Sequence, residues 1–75
     1  MKPVDRLEAL IRERVADALK LSKMQSGLTY RLHVDRDETV REALLANRAR
    51  LNELADEILE LTAAYHLATV KMAAN

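Results

Sequence analysis

An unbroken heptad pattern runs through the C-terminal half of the chain. Apolar residues at steps of four and three form a seam along one face of a helix, and such a seam must be buried against another helix. The ten positions of the pattern are Val40, Leu44, Asn47, Leu51, Leu54, Ile58, Leu61, Tyr65, Ala68 and Met72. Because neither Gly nor Pro follows Gly27, the pattern predicts one helix over about residues 37–73, with a break near Asn47–Asn52 as the alternative.

A second stripe of apolar residues predicts a helix near the N-terminus. At about 100° per residue its members cover roughly half of the helix circumference: Val4, Leu7, Leu10, Ile11, Val15, Ala18, Leu19 and Leu21. Asp5 and Glu8 have the spacing of a capping box, and Gly27 suits the position just after a helix end. We therefore expect this helix over about residues 5–25.

Residues 28–34, LTYRLHV, change to a period of two. Four apolar or aromatic residues alternate there with Thr29, Arg31 and His33, which is typical of a strand. A single strand has no partner within the chain, so it would pair with the same strand of a second chain or form an extended loop. Asp35 or Asp37 is then expected to cap the long C-terminal helix.

These elements predict a mainly all-α protein with a single domain over residues 1–75. The two helices would form a hairpin, and a core of this size supplies only about 3–5 kcal/mol of net stability. A long seam combined with a small core favours assembly, so we expect a homo-oligomer in the form of a dimeric bundle or coiled coil. The ten heptad positions are the expected oligomer interface.

The fold-back of one helix on the other predicts which residues meet. If the first helix ends near residue 25, Val4 lies near Ile58 or Leu61, and Arg14 lies at the level of Asn47. Arg14 and Asn47 are the polar residues that interrupt the two apolar stripes. They would form a buried polar cluster; alternatively, Arg14 extends to the edge of the interface and Asn47 specifies the oligomeric state.

This register also predicts an uncovered end. Residues 62–74 would extend beyond the first helix, and they are apolar on nearly every side. A helix of that kind is normally buried on several sides. Leu67 and Val70 are therefore the expected contacts to a protein partner.

The charges favour neither a strongly basic nor a strongly acidic partner. Lys+Arg and Asp+Glu both number 12, whereas nonspecific nucleic-acid binding normally leaves a basic surplus. Residues 1–36 carry eight basic and five acidic groups, and residues 37–75 carry four and seven. The chain has no cysteine, so a disulfide and a cysteine-based zinc site are both excluded.

The residues that could carry chemistry lack the spacing that chemistry needs. His33 and His66 have no second ligand at a metal-binding spacing on their own elements. The serines and threonines lie outside any nucleophile-elbow context. The acidic group that begins at Glu53 has the spacing of an exposed helical face. We therefore expect no catalytic residue, no metal site and no cofactor.

One helical stretch resembles part of an enzyme family. Residues 44–61, LLANRARLNELADEILEL, are similar to the first helix of the small all-helical chorismate mutases. The resemblance matches Arg48 to that family's first substrate-binding arginine, but the family's next arginine falls on Tyr65. Since the substrate of that family is a dianion, the resemblance does not extend to its activity.

A second resemblance suggests a different function. The segment LTYRLHVDRDETVREALL resembles the opening of a ribbon-helix-helix DNA-binding domain. In that family two chains pair a strand, and the polar face of the strand enters the major groove. The resemblance implies that Thr29, Arg31 and His33 form this face.

The sequence favours a non-enzymatic helical protein-protein interaction protein, such as an adaptor, a chaperone-like partner or an inhibitor. A small dimeric DNA-binding transcriptional regulator is the alternative. No stretch approaches the ~20 apolar residues of a membrane span. The first ten residues carry charges where a signal peptide needs an apolar core. We therefore expect a cytoplasmic protein without a membrane partner.

Overall fold

Two long α-helices that run antiparallel account for nearly all of the structure, a computed structural model that describes residues 2–74. Helix α1 spans Pro3–His33, a short 3-10 helix spans Glu38–Val40, and helix α2 spans Arg41–Ala74. The expected all-α class is confirmed, and α1 and α2 pack against each other along their length. The strand or extended loop expected at residues 28–34 is wrong, since residues 28–33 are helical and no strand occurs between residues 2 and 74.

Helix α1 begins earlier than the capping pattern indicated. Pro3 lies in its first turn, where its fixed φ suits the helix and its missing N–H is not needed. The residue before the helix, Lys2, is extended and makes no side-chain capping bond. The expected capping role of Asp5 is therefore wrong, because Asp5 is already inside the first turn.

Helix α1 also continues through Gly27, where an end was expected. A Cβ at Gly27 would meet nothing within 4 Å among the described residues, so the glycine lies on open surface. A glycine there costs only about 1 kcal/mol relative to alanine. Leu28 and Leu32 continue the apolar face at a step of four, and Leu32 is buried. Burial of this face offsets the cost of the glycine and extends the helix to His33.

Asp37 stabilises the turn between the helices. It is one of the two residues, Asp35 and Asp37, that were expected to cap the helix after this turn, and it caps the 3-10 helix. One carboxylate oxygen accepts hydrogen bonds from the backbone N–H of Thr39, at 3.0 Å, and from the Thr39 hydroxyl. The other oxygen accepts from Arg31 at 2.9 Å. The bonds from Thr39 and Arg31 hold the pKa of Asp37 below its ordinary value. Arg36 turns the chain with a left-handed φ of 55°.

The seam of α2 packs against α1 without a break at Asn47–Asn52. Leu54 is fully buried, and Val40 is 5% exposed. Nine of the ten heptad positions are buried or half-buried; the tenth, Met72, is 54% exposed. The interface within one chain therefore uses the same face that the sequence assigned to contacts between chains.

The register of the two helices differs from the expected one. Arg14 bonds Glu57, and Asn47 bonds Leu21 and Gln25. The expected contact between Arg14 and Asn47 is wrong, because α1 ends at His33 rather than near residue 25 and the whole fold-back shifts along α2.

The same shift changes both ends of the fold-back. Val4 does not lie near Ile58 or Leu61, because the level of Arg14 is already opposite Glu57. The start of α1 reaches residues that were expected to be uncovered, and Tyr65 and Ala68 are half-buried. The overhang of α2 is therefore much shorter than the expected 62–74.

The hairpin is long and thin. Its extents are 58 × 16 × 15 Å and its radius of gyration is 17.0 Å, whereas a compact domain of this length has a radius of about 11 Å. Neither helix, over the described residues 2–74, has an apolar stretch long enough to cross a membrane. The interface between the two long helices, closed at one end by Val40 of the 3-10 helix, thus supplies the packing among residues 2–74.

We predict that Leu54→Asp unfolds the hairpin. A carboxylate at this fully buried position has no partner, and its burial costs several kcal/mol, which is comparable with the whole stability of a small domain. Helical circular dichroism during thermal melting checks this. Leu67→Asp is the matched control, because Leu67 is a leucine of the same helix that is 67% exposed. A melting temperature of Leu54→Asp within a few degrees of the control contradicts the observed core.

Candidate functional site

A polar pair interrupts the apolar seam near its middle. The side-chain N–H₂ of Asn47 donates to the backbone carbonyl of Leu21 at 3.0 Å and to the side-chain carbonyl of Gln25 at 2.7 Å. Asn47 is buried at 6% exposure, and its Oδ1 atom finds no donor among residues 2–74. An amide that is satisfied on one side only costs stability but favours one register of the two helices.

A chain of ion pairs occupies one flank of the seam. Arg14 Nε donates to Glu57 Oε2 at 2.9 Å, and Glu57 Oε1 also accepts from Arg50 at 3.4 Å. Arg50 in turn bonds Glu53 at 3.0 Å, and this bond holds the pKa of Arg50 above its ordinary value. Arg14 therefore reaches the edge of the interface, which is the second of the two alternatives that its position allowed.

Two shallow depressions lie along this flank and define it as a surface. One, of about 270 Å³, is lined by Leu10, Arg14, Glu57, Glu60 and Leu61. The other, of about 250 Å³, is lined by Asp17, Lys20, Leu21, Arg50 and Leu54. We call this flank the charged side. It carries fixed charges of both signs at the rim and leucines at the floor.

The opposite flank has a different character. Asp17 and Glu57 line the charged side, and they immediately precede the seam residues Ala18 and Ile58. Leu19 and Leu59 immediately follow those seam residues, so they point to the other flank. Leu59 is 69% exposed and Leu19 is 60% exposed. Val15, Leu45 and Ala55 lie on the same flank by the heptad spacing. We call this flank the apolar side.

The apolar side was not recognised as a separate surface from the sequence. Leu10, Val15 and Leu19 belong to one broad stripe in the pattern, yet the structure sends Leu10 to the charged side and the other two to the apolar side. The position of each residue relative to the seam of α1 distinguishes the two flanks. Leu10 precedes a seam residue, whereas Val15 and Leu19 each follow one, and the sequence alone did not identify the seam of α1.

The residues expected to bind DNA do not form a polar face. Thr29, Arg31 and His33 lie in α1, where alternate residues point in directions about 200° apart. The Thr29 hydroxyl donates to the Gln25 carbonyl at 2.7 Å, Arg31 bonds Asp37 at 2.9 Å, and His33 is exposed. The paired strand that the ribbon-helix-helix resemblance required is therefore missing from residues 28–33.

The residues expected to bind a protein partner are on the surface. Leu67 and Val70 are 67% and 51% exposed, and both lie near the C-terminal end of α2. His33 and His66 lie near opposite ends of the hairpin. Within residues 2–74 no group of three or more potential ligands is arranged to hold a metal ion.

Comparison of the chain with protein-family models, with curated proteins and with solved structures finds no match.

We predict that Asn47→Leu raises the free energy of unfolding by about 1 kcal/mol. The change removes a buried acceptor without a donor, and the half-buried Gln25 can turn toward water. Urea denaturation checks this. Asn47→Asp is the matched control: it keeps the size but places carboxylate oxygens against two carbonyl acceptors, so stability should fall by about 2 kcal/mol or more. A fall in stability with Asn47→Leu contradicts our view of this amide.

We predict that Arg14 is coupled to Glu57 and not to Asn47. A double-mutant cycle of Arg14→Ala and Glu57→Ala should give a coupling of about 0.5–1 kcal/mol, as expected for a partly exposed pair. The cycle of Arg14→Ala and Asn47→Ala should be additive within about 0.5 kcal/mol. The reverse order of the two couplings would show that the register of the helices is different.

Proposed function

We propose that this chain is a non-enzymatic helical protein-protein interaction protein that acts as a homo-oligomer. Adaptor, chaperone-like partner and inhibitor are the roles that fit this class. The observation that supports the proposal is the amount of apolar side chain left on the surface. Val15 is 39% exposed, and nine other large apolar residues are 51–69% exposed: Leu19, Met24, Tyr30, Val34, Leu45, Leu59, Leu67, Val70 and Met72.

Ten large apolar residues are exposed in the described part of this short chain. Large contiguous apolar patches on a protein surface mark interaction sites. Burial of one leucine or methionine side chain stabilises a complex by about 1.5–3 kcal/mol before the costs of association. A few of these residues therefore suffice for a specific complex with another helix or with an apolar groove.

The end of α2 is the surface we propose for a different protein. Leu67, Val70 and Met72 are all more than half exposed there. They lie where α1 begins, so the last turns of α2 have little cover from their own chain. Leu67 and Val70, three residues apart, lie on neighbouring positions of one face, so a partner helix or groove that packs there would bury both side chains.

DNA binding has no comparable support in the geometry. Arg31, which would read guanine edges in a ribbon, is committed to Asp37 in the turn. One experiment can therefore distinguish DNA binding from protein binding, by comparing a substitution at Arg31 with substitutions at the apolar end of α2.

We predict that Leu67→Asp and Val70→Asp abolish capture of the cellular partner, whereas Arg31→Ala leaves it within a fewfold of wild type. Quantitative pull-down from the native cell checks this, with circular dichroism to show that each variant keeps its helices. Leu67 and Val70 are exposed, so a charge there should leave the hairpin folded. Sequence-specific DNA binding by wild type that is lost in Arg31→Ala would overturn the proposal.

A further inference from the structure

The apolar side, defined above by Val15, Leu19, Leu45, Ala55 and Leu59, is a surface without a partner inside the chain. Leu59 and Leu45 are 69% and 57% exposed, and they lie on α2 two heptads apart. Leu19 and Val15 lie on α1, and they are 60% and 39% exposed. The ion pairs of Arg14, Arg50 and Glu57 lie on the opposite flank, whereas the apolar side carries the exposed Arg12 and Arg48 around its leucines.

One chain exposes more surface than a compact monomer of its mass, and the excess is similar to the area that each partner buries in a stable dimer. The hairpin exposes 5911 Å², whereas a compact monomer of 8.5 kDa exposes about 4,650 Å². The excess is roughly 1,250 Å² per chain, and a standard interface buries about 800 Å² per partner, with more in obligate dimers. A single partner on one flank of this size would remove the excess.

We propose that the occupant of the apolar side is a second copy of this chain, and that the two hairpins form an antiparallel four-helix bundle. The proposal deepens the homo-oligomer part of the proposed function and moves the interface between chains from the heptad seam to this flank. The seam remains the interface within each chain, since α1 already covers it.

The position of the apolar residues fits a twofold axis. By the register of Arg14 with Glu57 and of Asn47 with Leu21, Leu59 lies beside the first half of α1 and Leu45 beside the second half. Both are at similar distances from the middle of the hairpin, while Leu19 lies close to the middle itself. A patch centred in this way is complementary to its own copy after a half-turn, as an isologous interface requires.

The same positions select one orientation of the two copies. If the axis crosses the helices at a right angle, α2 packs on α2 and Leu59 of each copy lies over Leu45 of the other. If the axis runs along the helices, α1 packs on α2, and Leu59 lies over the level of Arg12 instead. Arg12 is exposed and paired with Glu8, so the second arrangement places Leu59 over an ion pair, whereas the first places it over another leucine.

The charged side then faces outward from the bundle. Its depressions stay open to water, and the uncovered end of α2 with Leu67 stays available to a different protein. Leu67 and Leu59 are therefore leucines of nearly equal exposure, 67% and 69%, that lie on different flanks of the same helix. This pair provides a matched control for the interface.

We predict that wild type is a dimer at micromolar concentration and that Leu59→Asp raises its dissociation constant at least a hundredfold. Leu67→Asp should leave the dissociation constant within a fewfold. Sedimentation equilibrium measures both, and circular dichroism confirms the helices. A monomeric wild type at all concentrations overturns the proposal, and so does an equal loss of dimer in both variants. Loss of partner capture by Leu67→Asp with the dimer intact would separate this interface from the proposed partner site.

Cross-linking tests the orientation of the two copies without placing a charge in the interface. The chain has no cysteine, so Leu19→Cys and Lys20→Cys each introduce one thiol, on the apolar side and on the charged side respectively. A short bismaleimide should join two copies of Leu19→Cys and not two copies of Lys20→Cys. Mixed Leu45→Cys and Leu59→Cys should also cross-link. Efficient cross-linking of Lys20→Cys alone would show that the dimer uses the charged side and would overturn the proposed face.

Discussion

The stability of the hairpin depends on burial along the single seam between α1 and α2. Residues 2–74 form no second layer of structure, so each apolar side chain among them is either in this seam or on the surface. In the described part of the chain Leu54 is the one large side chain that is fully buried, and Val40 and Leu32 are 5% and 9% exposed. The way in which α1 and α2 pack along this seam determines their register and separates the charged side from the apolar side.

The polar residues in the seam limit how the two helices can slide. A seam of leucines alone tolerates several registers, because one heptad step restores the same contacts. Asn47 can donate to the carbonyl of Leu21 and to Gln25 in only one of them. Arg14 reinforces this register from the flank through Glu57. Specificity inside the chain therefore comes from groups that contribute little to its stability.

Part of this fold follows directly from the sequence. The heptad predicted one helix over about residues 37–73, and α2 is uninterrupted from Arg41, with a 3-10 helix over Glu38–Val40 before it; the predicted seam is the buried face. Asp37 was one of two expected caps and is the one that bonds Thr39. These features depend on local spacing, which a single sequence shows clearly.

Residues 28–34 could not be assigned in the same way. Leu28 and Leu32 satisfy a period of two and a step of four equally well, so only contact with α2 decides between strand and helix. Gly27 suggested an end, but a glycine on open surface is tolerated within a helix. The error in the end of α1 then shifted every expected contact along α2.

The position of the best-buried residues has a consequence for the order of folding. Leu32 and Val40 lie beside the turn that Asp37 closes and Leu54 lies near the middle of the seam, while the seam near the open end contains half-buried residues and the exposed Met72. Contacts beside a turn close the shortest loops and therefore cost the least chain entropy to form. The hairpin should thus zip from the turn toward the termini, and its backbone amides should exchange hydrogen fastest at the open end. The exposed leucine and valine at the end of α2 then lie in the segment that opens first, so a contact on these two residues would slow the opening of the whole hairpin.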